Sequence, residues 1–98
     1  PFTQWVIEDD FAAGRPDLGA VGVQLVRDVR PYELAKLRML NGSHSTIAYM
    51  GLALGHEFVD QAVAAPAIAA TVATLMDEAA STLPAMPGFD PAVYAQQL

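Results

Sequence analysis

The chain contains no cysteine, so disulfide frameworks and thiolate metal sites are excluded. Basic residues are also scarce. The five that occur, Arg15, Arg27, Arg30, Lys36 and Arg38, all precede residue 39, and Lys36 is the sole lysine. With a net charge of −6 there is no basic patch to meet a phosphate backbone, which argues against nucleic acid as a partner. Long apolar runs are missing too. The longest weakly polar run, Gln61 to Met76, is shorter than the roughly 20 residues of a spanning helix and contains Pro66, so no membrane segment is expected. The opening Pro-Phe-Thr-Gln-Trp lacks the basic and apolar regions of a secretion signal. These absences fit a cytoplasmic protein. Neither a Rossmann-type nor a P-loop glycine pattern is present.

Against these absences, 53% of the 98 residues are hydrophobic and mean hydropathy is +0.29, high for one small soluble domain. The surplus implies a covering surface, either a partner chain or further parts of the same polypeptide, and the chain reads as a fragment of a larger protein.

Phe2 to Glu8 predicts a short strand, and the valine-rich stretch Val21 to Val29 predicts a second. Across the loop marked by Asp9-Asp10 and Gly14-Arg15-Pro16-Asp17 they are expected to pair as an antiparallel ribbon. Pro31 suits the first position of a helix, with Asp28 and Glu33 placing negative charge at its start. Leu34, Ala35, Leu37, Met39 and Leu40 surround that helix almost completely, predicting burial on most sides. Asn41-Gly42-Ser43 either ends it, with Ser43 capping a new helix from His44 to about Leu54, or lies within it. A short helix is expected near Phe58 to Ala64, and a longer one from Pro66 with Ile68, Val72, Leu75, Met76 and Ala79 on one face. Asp90-Pro91 reads as a cap and first turn of a last helix.

Chemistry concentrates between residues 33 and 44. On an α-helix at about 100° per residue, with Lys36 at zero, Glu33 lies at roughly 60°, His44 at roughly 80° and Asn41 at roughly 140°. A lysine in an apolar site becomes a general base, while an asparagine amide and a histidine imidazole are two donors for an oxygen that gains negative charge. Such a set suits removal of an alcohol proton as hydride leaves its carbon, with Glu33 passing the proton to solvent. The plainer alternative is that Lys36 and Arg38 are solvated, Asn41 and Ser43 cap helices, and His44 is a core histidine. On spacing alone that alternative outweighs the catalytic one. Zinc is disfavoured because His44 and His56 lack a coherent ligand set with Glu57 or Asp60. A serine nucleophile at Ser43 or Ser45 has neither a third member nor an elbow pattern.

The stretch Pro-Tyr-Glu-Leu-Ala-Lys-Leu-Arg-Met-Leu-Asn-Gly-Ser-His-Ser, with its Lys36-x-x-x-x-Asn41-x-x-His44 spacing, resembles the signature of the polyol-specific long-chain dehydrogenases. That family includes mannitol 2-dehydrogenase and hexuronate reductases. The resemblance extends to Gln4-Trp5-Val6-Ile7-Glu8-Asp9, to Val23 through Val29 and to Ala48-Tyr49-Met50-Gly51, thins after Gly55 but persists through Pro87-Gly88, and so covers essentially the whole chain. It implies a mainly α fold: the first part of a helical C-terminal domain like that of 6-phosphogluconate dehydrogenase, with a short N-terminal β-ribbon. Residues 1–98 would form part of the substrate-binding and catalytic domain of a zinc-independent enzyme, and NAD or NADP would be bound by a Rossmann domain that these residues do not include. Lys36 matches the family's general acid/base, Asn41 and His44 the residues that polarise the reacting oxygen, and Glu33 an acidic relay position. The implied substrates are a polyol and its ketose, mannitol and fructose first, with sugar acids such as fructuronate or tagaturonate second. A sugar-acid carboxylate needs a cation, for which Arg38 and Arg30 are the candidates, although an arginine in either place is more often a surface residue and the sequence does not choose between the two readings. The isolated piece is expected to be inactive and to self-associate through exposed apolar surface. A helical interaction module that retains the motif without catalysis is the reading from another class.

Overall fold

The computed structural model describes residues 3–98; Phe2, placed in the first strand above, lies outside them. Two short strands, β1 (Val6–Glu8) and β2 (Gln24–Val26), precede five α-helices: α1 (Arg30–Ala35), α2 (Gly42–Ala53), α3 (Val59–Ala64), α4 (Pro66–Ser81) and α5 (Pro91–Gln97). The strands run parallel, with Val6 opposite Gln24, Ile7 opposite Leu25 and Glu8 opposite Val26, which corrects the expected antiparallel ribbon. The reason lies in the connection. From Asp9 the chain is fastened by the Arg15–Asp9 ion pair at 2.7 Å and turned through a 3₁₀ turn at Leu18–Val21. It thus returns to the start of β1 and re-enters in the same direction, as a crossover must.

Asn41-Gly42-Ser43 does not end the helix. Ala35, Lys36, Asn41 and Gly42 all keep right-handed helical dihedrals, so one rod runs from Arg30 to Ala53. At its start Asp28 Oδ1 accepts the Arg30 backbone N–H at 3.0 Å, and Pro31 falls in the first turn. Between α1 and α2, residues Lys36–Asn41 form a π-helical turn. The sequence supplies its cause. The rod's buried residues are Ala35, Met39, Ser43, Ile47 and Gly51, spaced every four positions. An α-helix repeats at about 3.6, so such a stripe drifts round the rod unless extra residues are absorbed. One i→i+5 turn absorbs the slack and keeps the stripe facing α3, α4 and α5.

Burial of this rod is one-sided rather than all-round. Met39 is fully buried, whereas Leu37 is 55% exposed. At the far end Gly55, with φ +80°, stops the rod in a conformation that glycine adopts freely. Ala65 alone joins α3 to α4, held extended before Pro66 as the residue preceding a proline must be. Asp90 caps α5, its Oδ1 accepting N–H bonds from Ala92 at 2.8 Å and Val93 at 3.4 Å.

Two apolar clusters hold these elements. Ile47, Ala62, Ile68 and Val72 join α2, α3 and α4; Ala35, Met39 and Tyr94 join the rod to α5. Met76 of α4 packs against both. Large apolar side chains nevertheless remain exposed, among them Trp5, Tyr49, Leu52, Leu54, Phe58 and Val59.

Candidate active site

Beside the buried stripe, Glu33, Lys36, Asn41 and His44 are all exposed on the rod. Lys36 and Asn41 are the first and last residues of the π turn, and His44 lies in the first turn of α2. A turn that closes at i+5 absorbs roughly one residue, so the rod beyond it is rotated back by as much as about 100° relative to an α-helix. Asn41 then falls at roughly 40–65° from Lys36, and His44 swings to within roughly 20° of it. The arc of about 140° expected for an uninterrupted α-helix is narrowed to well under a right angle.

Among the described residues no hydrogen bond links the Lys36, Asn41, His44 and Glu33 side chains, and Lys36 is open to solvent rather than pressed into an apolar site. The face is therefore one wall, with its donors and its amine free to meet a ligand. His44 also borders an open groove of about 340 Å³, bounded by Leu40, Ser43 and Ile47 of the rod and by apolar residues of α3, α4 and α5.

Ser43 does not cap a helix. Its hydroxyl is buried in the core stripe and has no hydrogen-bond partner among the described residues. Both arginines considered for a carboxylate already have intramolecular partners. Arg38 Nη1 donates to the Thr82 carbonyl at 2.6 Å and to Thr82 Oγ1 at 3.0 Å, and Arg30 Nε donates to Asp28 Oδ1 at 3.1 Å. Among the described residues no group of three or more His, Asp or Glu side chains is placed to hold a metal ion, and no helix is long and apolar enough to cross a membrane.

Fold and candidate site together give a helical domain that exposes Lys36, Asn41 and His44 along a rod interrupted by one π turn. Residues 28–98 match the mannitol dehydrogenase C-terminal domain, and the chain belongs to that family. It is 52% identical to D-mannonate oxidoreductase of Escherichia coli over its whole length, which is 20% of that protein. With mannitol 2-dehydrogenase of Aspergillus fumigatus it shares 45% identity, again over all of this chain and 20% of the relative. Two solved structures share the fold. A substrate-free D-sorbitol dehydrogenase superposes with a TM-score of 0.92 at 38% identity, over 97% of this chain and 20% of that one. The mannitol 2-dehydrogenase of Pseudomonas fluorescens, in ternary complex with NAD and D-mannitol, gives 0.86 at 42%, with the same coverage. The chain thus spans about a fifth of the length of these relatives.

Proposed function

We propose that this chain is the catalytic-lysine segment of an NAD(P)-dependent oxidoreductase that interconverts a secondary alcohol of a polyol and the matching ketone of a ketose. The observation that supports the reading is the π turn at Lys36–Asn41, which by helix geometry turns the exposed Asn41 and His44 towards Lys36. In this scheme Lys36 Nζ takes the proton of the substrate hydroxyl as hydride leaves the same carbon. Asn41 and His44 donate hydrogen bonds to that oxygen, favouring the negative charge it gains. In the reverse direction the Lys36 ammonium returns the proton to the ketone oxygen. Glu33, one turn earlier, exchanges the lysine's proton with solvent.

The nicotinamide accepts or returns the hydride; with no glycine-rich phosphate loop in these residues, its binding falls to a Rossmann domain elsewhere in the same polypeptide. That remainder also covers exposed apolar residues such as Leu52, Leu54 and Phe58, which in the isolated chain favour self-association. The 98 residues alone are then inactive, and NADH formation from a polyol by the isolated chain would contradict this. In the intact dehydrogenase, Lys36→Ala lowers turnover by orders of magnitude while cofactor binding is retained. Unchanged turnover removes Lys36 from the mechanism.

The 52% identity to a D-mannonate oxidoreductase favours a second reading, in which the substrate is a sugar acid. Mannitol, other polyols, fructuronate and tagaturonate, each assayed with NAD and NADP on the intact enzyme, separate the two.

A further inference from the structure

We infer that Arg38 is a positioning residue: its bond to the end of α4 holds the π turn in register and thereby holds Lys36, Asn41 and His44 on one face. The inference rests on the reading of Lys36 as acid/base. π turns are rare, occurring mostly as single turns inside α-helices, so one that persists needs its surroundings to hold it. Two tethers do so here. On the core side Met39 is fully buried against the cluster around Tyr94. Its neighbour Arg38 reaches across to α4 and donates to the Thr82 carbonyl at 2.6 Å and to Thr82 Oγ1 at 3.0 Å.

Thr82 is built to receive it. It is the C-cap of α4, where terminal carbonyls have no partner within the helix and the dipole favours a cation. Its hydroxyl donates to the Ala79 carbonyl at 2.7 Å, which leaves the oxygen's lone pairs for Arg38. Arg38 lies between Lys36 and Asn41 in the chain. If the turn relaxes to α geometry, Asn41 and His44 rotate away from Lys36 by as much as about 100°. The amine and the two donors then no longer meet one oxygen. A misplacement of about 1 Å costs on the order of 10²-fold in rate. The damage falls on the chemical step, because Arg38 is committed to α4 rather than to the substrate.

The test uses the intact dehydrogenase and the variants Arg38→Ala, Arg38→Lys, Thr82→Ala and Lys36→Ala. Arg38→Ala should lower kcat roughly 10- to 100-fold with substrate KM and cofactor Kd little changed, and should displace the pH midpoint of kcat. Arg38→Lys, which still offers a cation to the carbonyl, should recover part of the loss. Thr82→Ala should be mild, since the backbone acceptor remains. Wild-type kcat and pH profile in Arg38→Ala, with Lys36→Ala inactive, would overturn the positioning role and leave the acid/base reading standing. Full turnover in Lys36→Ala would remove that reading and this inference with it. If Arg38→Ala does not fold, Arg38→Gln takes its place: the same kcat loss supports the role, and wild-type kcat refutes it.

Discussion

The same substitution, glycine to alanine, should have opposite effects at two positions of the rod. At Gly51 an added Cβ would sit 2.8 Å from the Cβ of Ala62 on α3. Neither carbon can rotate away, because each is fixed directly to a helix backbone, so α2 and α3 must separate. Overpacking of this kind costs about 1–3 kcal/mol, against which alanine gains about 1 kcal/mol of helix propensity. The net expectation for Gly51→Ala is a loss of about 0–2 kcal/mol. At Gly42 the added Cβ meets only Leu75 Cδ2 at 4.0 Å, an ordinary contact, and the backbone is already right-handed helix with φ −59° and ψ −45°. Gly42→Ala therefore gains about 0.5–1 kcal/mol. For a domain of this size 1 kcal/mol corresponds to about 4–8 °C in Tm, so the two variants should melt several degrees apart on either side of the parent. Thermal unfolding of the 98-residue chain, monitored by circular dichroism, measures this. A Gly51→Ala variant as stable as Gly42→Ala would refute the close α2–α3 approach.

Two further outcomes concern stability. Asp90→Ala removes the cap of α5 and should cost about 1 kcal/mol, loosening the helix that carries Tyr94 into the second cluster, whereas Asp90→Asn, still an acceptor, should retain most of it; equal melting temperatures for the two variants would show the cap is not used. The Arg30 backbone N–H and then its guanidinium hold the Asp28 carboxyl below its ordinary value of 3.8. A carboxyl whose folded pKa is depressed stabilises the fold above the unfolded value, and that contribution is lost as pH falls through the folded one. Tm should therefore drop on acidification below about pH 4, and Asp28→Asn should flatten that drop. An unchanged acid limb in the variant would mean that Asp28 is not linked to folding.

What was legible in the sequence depended on how local its cause was. Pro31, Pro66 and the Asp90-Pro91 pair start helices by their own covalent geometry and side-chain oxygens, and Gly55 stops one by its φ, so these boundaries come from single residues. Strand direction has no such local origin. It depends on how Asp9, Arg15 and the Leu18–Val21 turn carry the chain back, a path that neither strand's composition encodes. The site lies between these extremes. Lys36, Asn41 and His44 stood out by residue type, but their spacing alone favoured solvated, capping and core roles, the catalytic ones came from the family resemblance, and a constant α-helical rotation spread the three over a wide arc. The missing signal was on the other face. Ala35, Met39, Ser43, Ile47 and Gly51 recur every four residues, and a helix that keeps such a stripe buried must absorb about one residue relative to a 3.6-residue repeat. Because a helix turns as one body, the correction that keeps the core stripe facing α4 also rotates Asn41 and His44 towards Lys36. Packing and site geometry therefore share one cause, and the angular set of the exposed residues can be deduced from the spacing of the buried ones.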